Sequence, residues 1–136
     1  MFQRAYLGLF LLAFVVLLGC GAGKTGLSGK VTFSDDQSPV PAGMIVFEGS
    51  DGKMGRAEIQ SDGTYRAGFD SAKDGLPKGT YKVYLTNVVR TEKDARGMDA
   101  YIPLLDSKYS STTTSGLTFN ADGKTPKFDF SVDRAK

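Results

Sequence analysis

The sequence predicts an all-β protein: a single seven-stranded antiparallel β-sandwich behind an N-terminal signal helix. Three observations lead there. Apolar and polar residues alternate with period two from Leu27 onward, which aims every second side chain at a core. Turn-forming residues punctuate the alternating runs, and the 136 residues include 17 Gly and 5 Pro. No stretch of that body keeps the spacing of an amphipathic helix for any length, although residues 92–98 have room for a turn or two.

The first element is an address rather than a part of the sandwich. Residues 1–4 bring one positive side chain, and residues 5–18 (AYLGLFLLAFVVLL) are uncharged and almost wholly apolar. Such a run, as a helix, spans roughly 21 Å against a hydrocarbon core of roughly 30 Å, too short for a comfortable crossing. A basic start, a short apolar run and then small residues is the layout of an export signal. It ends in Leu17-Leu18-Gly19-Cys20, which resembles the lipobox of bacterial lipoproteins, with the cut between Gly19 and Cys20. The small Gly19 suits the peptidase, Leu18 is larger than usual there, and the Cys20 thiol is the group to which a diacylglyceryl unit is attached. Lipidation also accounts for the chain's single Cys, since an exported lone thiol is otherwise awkward. The expected organisation is therefore a lipoprotein signal at 1–19, a flexible Gly-rich tether at 20–27 and the sandwich at 28–136. Gly19-Cys20-Gly21-Ala22-Gly23-Lys24-Thr25 imitates the end of a P-loop, but the first Gly of that motif would fall on Leu18, and no strand precedes it, so nucleotide binding is excluded.

The strands follow in order. Leu27, Val31 and Phe33 alternate with Lys30, Thr32 and Ser34, and 35–39 (DDQSP) is turn chemistry. Met44-Ile45-Val46-Phe47 is dense enough for a central strand, and Asp51-Gly52 turns the chain. Ala57 and Ile59 then alternate with polar neighbours, as do Tyr65, Ala67 and Phe69. The Asp62-Gly63 pair between these two runs predicts a type I′ hairpin. Residues 71–79 read as loop, Tyr81, Val83 and Leu85 as a strand continuing through Val88-Val89, Leu117 and Phe119 as a short strand, and Phe128, Phe130 and Val132 as the last. A body of this length buries about two-thirds of its unfolded surface, enough for a core without disulfides.

Gly29-Lys30-Val31, Pro39-Val40-Pro41-Ala42-Gly43, Ile45-Val46-Phe47, Ser61-Asp62-Gly63-Thr64-Tyr65 and Gly75-Leu76-Pro77-Lys78-Gly79-Thr80-Tyr81-Lys82-Val83 occur in a fixed order. Together they resemble a carboxypeptidase regulatory-like domain, and Ile102-Pro103, Lys108-Tyr109 and Ser115-Gly116-Leu117 resemble the tails of related small lipoproteins from planctomycete-type bacteria. The resemblance covers roughly residues 27–133. It implies a transthyretin-like, broadly immunoglobulin-like, sandwich in a membrane-tethered or accessory role, and no activity.

Composition excludes much chemistry. The absence of His removes Ser-His-Asp catalysis and His-ligated zinc, and it removes the histidines on which the transthyretin-like hydroxyisourate hydrolase depends. With 17 Lys and Arg against 15 Asp and Glu, the net charge of +2 provides no nucleic-acid face. Asp35, Asp36, Asp51 and Asp62 sit beside turn residues, where a carboxylate bonds its own backbone. Asp35-Asp36 or Asp51 offer oxygens for weak Ca²⁺ contact but lack D-x-D-x-D spacing, so no metal site and no cofactor is assigned. Residues 91–115 form a connection long for a compact sandwich, and Tyr101, Lys108 and Tyr109 are its candidate binding residues. The alternative for that segment is a crossing that covers a sheet edge.

The expected work is that of a non-catalytic cell-envelope lipoprotein, held to a membrane through lipid on Cys20. An envelope protein or a glycan would be its partner. It would face the periplasm or cell surface, with the outer membrane favoured because Gly21, not Asp, follows the Cys. The alternative class is an envelope enzyme, or an accessory subunit of one, acting through residues 91–115.

Overall fold

The computed structural model describes residues 23–124 and 126–136, so the signal segment, Gly19 and Cys20 lie outside the described residues. Period-two alternation is realised most simply in β1 (Ser28–Phe33), which turns Gly29, Val31 and Phe33 inward. β1 is the middle of a three-stranded sheet, between β4 (Thr64–Arg66) and β9 (Phe130–Val132). The second sheet has four strands in the order β3 (Met54–Glu58), β2 (Met44–Gly49), β5 (Gly79–Thr86), β8 (Leu117–Ala121), all antiparallel. β2 is the dense apolar run, as befits an inner strand: Ile45 faces Ala57 and Leu85, and Phe47 faces Gly55 and Val83. The fold is an all-β sandwich.

Aromatic rings join the two sheets. Phe47 of β2 lies 6.3 Å from the Tyr65 ring of β4, and Phe119 of β8 lies 5.0 Å from Phe128, which stacks in turn on Phe130. Val31, Val40, Ile45, Phe47, Leu76, Val83 and Val132 are wholly buried among them. Gly29 is demanded by the packing, since a Cβ there would stand 2.0 Å from the Phe128 carbonyl oxygen and 2.7 Å from the Tyr65 hydroxyl. That hydroxyl donates to the same Phe128 carbonyl, which ties β4 to the approach of β9. Among the described residues no helix is long and apolar enough to cross a membrane.

Four expectations need correction. First, the sandwich is not purely antiparallel: β9 runs parallel to β1, with Val31 opposite Phe130 and Phe33 opposite Val132. The chain reaches β9 by crossing over from β8 in the other sheet, and a crossover permits the parallel direction. Second, Asp62-Gly63 does not make a type I′ hairpin. Only Gly63 is left-handed (φ 82°), its amide donates to the Gln60 carbonyl (2.8 Å), and the Gln60 amide donates to the Thr64 carbonyl (2.8 Å). This is a type I turn closed by a glycine bulge, and the two arms then join different sheets. The turns at Gly49–Lys53 and Asp94–Met98 repeat the same hydrogen bonds and the same left-handed Gly.

Third, the strand expected to continue through Val88-Val89 stops at Asn87, which is left-handed (φ 56°) and leads the chain out of the sheet. Residues 91–115 are consequently no irregular connection. They contribute to a separate antiparallel pair, β6 (Val89–Lys93) with β7 (Asp99–Pro103), and then to a single 3₁₀ turn, Ser107–Ser110, capped by the Asp106 carboxylate. The sandwich's two sheets hold seven strands among the described residues, and this pair adds two. Fourth, the tether expected at residues 20–27 is docked in its last part. Lys24 binds Asp70 and Asp74 (2.6 Å to the latter), Thr25 exchanges hydrogen bonds with Leu76 in both directions, and Leu27 is buried.

Candidate functional site

The three candidate binding residues do not converge. Tyr101 projects from β7 opposite Thr91 and is 68% exposed. Tyr109 belongs to the core: its ring is buried by the 3₁₀ turn, and its hydroxyl donates to the Asp133 carboxylate (3.2 Å) and accepts from the Asp133 amide (3.2 Å). Lys108 folds back over the Tyr109 ring, with Nζ 5.0 Å from the centroid, to pair with Asp133. The Lys108 ammonium and the Ser34 hydroxyl together hold the Asp133 carboxyl down at about 2. This cluster fastens the segment after β9 to the sandwich. The 3₁₀ spacing that buries Tyr109 has no period-two signature, so alternation missed it; the Asp106 cap was the available signal.

The turn carboxylates are equally occupied. Asp36 accepts from the Ser38 hydroxyl and amide, which, with the nearby Arg134, draws its carboxyl down to about 2. The Arg134 guanidinium spans Asp35 (2.8 Å) and Asp36 (2.9 Å) and lies 3.7 Å over the Phe33 ring. The positive charge that Ca²⁺ would bring between Asp35 and Asp36 is already supplied by Arg134. Asp62 bonds the Thr64 amide and hydroxyl, and Asp51 bonds the Lys53 amide (3.0 Å). Among the described residues no three Asp, Glu or Cys gather as a metal site. The Lys24 ammonium of the false P-loop is held by two carboxylates, and its affinity for its proton is raised chiefly by Asp70.

A site that sequence reading missed lies where β3 and β4 part. Arg56 and Gly68 exchange two main-chain hydrogen bonds of 2.8 Å, and Gln60 and Thr64 meet at the turn. Both pairs belong to one register, in which Glu58 and Arg66 form the missing rung between them. No main-chain hydrogen bond joins that rung, because Ala57 and Ile59 are pulled into the four-stranded sheet while Tyr65 and Ala67 serve the other. Alternation along the ladder aims the amides and carbonyls of Glu58 and Arg66 into the gap.

Over the gap runs a groove of about 930 Å³, walled on one side by the loop 68–73. Met44, Met54 and Phe69 provide apolar surface, and among all lining residues five cations face three carboxylates. Two of those carboxylates are engaged, Asp70 by Lys24 and Asp129 by Lys127 (3.2 Å) and the Lys30 amide. Among the described residues no ion pair holds Arg56, Arg66, Lys73 or Glu58. The outward positions of β3 (Met54, Arg56, Glu58) and β4 (Thr64, Arg66) carry one cation each, indistinguishable in the sequence from an ordinary solvated face.

No family model matches this chain, and no curated protein matches it. The resemblance to carboxypeptidase regulatory-like domains therefore rests on its motifs. Among solved structures, the chain is similar to a single-residue variant of BcpA, the major pilin subunit of Bacillus cereus, with a TM-score of 0.52 and 12% identity over 84% of this chain and 30% of that one. BcpA itself gives a TM-score of 0.49 at 9% identity, covering 82% of this chain and 30% of that one. A 9R-lipoxygenase from Cyanothece PCC8801 gives 0.39 at 16% identity, over 79% and 16% of the respective chains. The chain thus spans under a third of the pilin subunit's length, and at this identity what the two share is the sandwich fold.

Proposed function

We propose that this chain is a non-catalytic lipoprotein of a bacterial cell envelope, anchored by fatty chains on Cys20 and presenting its sandwich as a structural or binding domain. One observation carries the reading: Leu17-Leu18-Gly19-Cys20 ends an apolar segment directly ahead of a domain whose packing begins at Lys24. Each buried methylene of an acyl chain contributes about 0.8 kcal/mol, so two or three chains anchor a small domain almost permanently. The turn roles of Asp35, Asp36, Asp51 and Asp62 support the non-catalytic part, because these carboxylates are committed to local backbone and to Arg134. The fold's likeness to a pilin subunit supports a structural role, and the motif resemblance supports an accessory one.

The test is expression in a bacterium with intact-mass analysis and membrane fractionation. The native chain is expected to begin at Cys20 and to carry the added mass of acyl groups. Cys20→Ser is expected to stay uncut or to leave its normal membrane fraction. A native protein with a bare Cys20 thiol, or a Cys20→Ser chain still cut and still fractionating as before, overturns the assignment.

A further inference from the structure

We propose that the groove beside the open Glu58–Arg66 rung docks an extended acidic peptide segment of a partner protein. The inference deepens the binding role given above by naming a site and a ligand chemistry. Three features of the groove select that occupant. Its cations exceed its carboxylates, and Arg56, Arg66 and Lys73 stand without ion-pair partners among the described residues. Two arginines of this kind present planar forks that match carboxylates in bidentate fashion. The missing rung leaves main-chain donors and acceptors at Glu58 and Arg66 in the groove floor; closed rungs at Arg56–Gly68 and Gln60–Thr64 flank it, so a peptide lying over the opening meets these groups with single polar contacts and not as an added strand. Met44, Met54 and Phe69 then receive the alternate apolar side chains of an extended segment, and methionine adapts to varied shapes.

The same features argue against an acidic glycan. The lining aromatics are Tyr65 and Phe69. Tyr65 is 2% exposed and its hydroxyl is committed to the Phe128 carbonyl, so the half-buried Phe69 is the one lining ring left to stack on a sugar, whereas an extended peptide uses Met44, Met54 and Phe69 together.

The experiment uses the full chain in non-ionic detergent micelles and a fluorescein-labelled peptide of alternating Asp and Val, read by fluorescence polarisation. Saturable binding is expected, weakened about tenfold or more by Arg56→Glu with Arg66→Glu, and likewise when Lys replaces Asp in the peptide. Lys73→Glu, on the loop, serves as a second variant with weaker loss, and Arg90→Glu on β6 leaves binding unchanged. Circular dichroism and thermal midpoints establish that each variant is folded. Absence of saturable binding to the folded chain overturns the proposal, as does equal binding by the groove variants. Binding of sodium alginate that is lost in those variants, without peptide binding, overturns it in favour of a polyuronate. Because the measurement is made in micelles, its outcome is independent of whether Cys20 carries lipid, and either reading can fail alone.

Discussion

The β3–β4 arms and the β6–β7 hairpin reverse the chain with the same device and then diverge. In each, a left-handed glycine (Gly63, φ 82°; Gly97, φ 77°) closes a turn whose amide-to-carbonyl bonds measure 2.8–2.9 Å. Beyond the turn, β6 and β7 keep five consecutive pairs, Val89 with Pro103 through Lys93 with Asp99, yet bury no residue fully. β3 and β4 bury Ala57, Tyr65 and their neighbours Ile59 and Ala67, yet lose the rung between Glu58 and Arg66. Continuity of a ladder is therefore kept here where no core competes for the strands. It is given up where two sheets each claim one arm, and the opening is what makes a groove.

The contrast is broken or sharpened most strongly by side-chain truncation. Tyr65→Ala is expected to destabilise the fold by about 3–5 kcal/mol, whereas Tyr101→Ala stays within about 0.5 kcal/mol. Urea unfolding of both variants checks this, and comparable losses would mean that the hairpin is part of the core. Next in size is the close approach at Gly29. Gly29→Ala should cost about 1–3 kcal/mol, because the displaced neighbour is main chain and cannot swing aside. Native-state hydrogen exchange sharpens the same comparison: the paired amides of Val89–Lys93 should exchange far faster than those of Ile45 and Phe47, despite similar ladders.

The smallest expected effect is acidic. Asp36 and Asp133 have folded values of about 2 against an ordinary 3.8, so their contributions are complete above the ordinary value and vanish as pH falls through about 2. Thermal midpoints should fall between about pH 4 and pH 2, and Asp36→Asn or Asp133→Asn should each reduce proton uptake on acid unfolding by about one. An unchanged acid limb in both variants would show that neither carboxylate is held as described.

Much of this was legible beforehand because period-two alternation registers burial directly. Val31 and Phe33, Ile45 and Phe47, Tyr81 and Val83 all turn inward where the pattern placed them. The Asp-Gly positions marked the reversals at Gly52 and Gly63, but turn type depends on how the arms continue, and a dipeptide carries no information on which sheet each arm joins. The parallel β1–β9 pair escaped for a related reason: direction is set by the crossover, not by Phe130 or Val132 themselves. β6 (VRTEK) shows no alternation because neither face is buried, so nothing distinguished it from loop. Of the expected sites, Tyr109 was misplaced because an aromatic in a polar run looks exposed, and the groove was invisible because it arises from a bond that is absent. Cys20, the residue with the most specific signal, lies outside the described residues.

The docking of Thr25 on Leu76 sets a reach. From Cys20 to Lys24 is four residues, at most roughly 14 Å of fully extended backbone. On the proposed anchoring, so short a leash keeps the body within a fraction of its own width of the lipid headgroups. Lys24 is moored to Asp70, which lines the groove, so the groove's loop wall lies within one lysine side chain of the leash. A partner that fills the groove is then one that works close to the membrane surface.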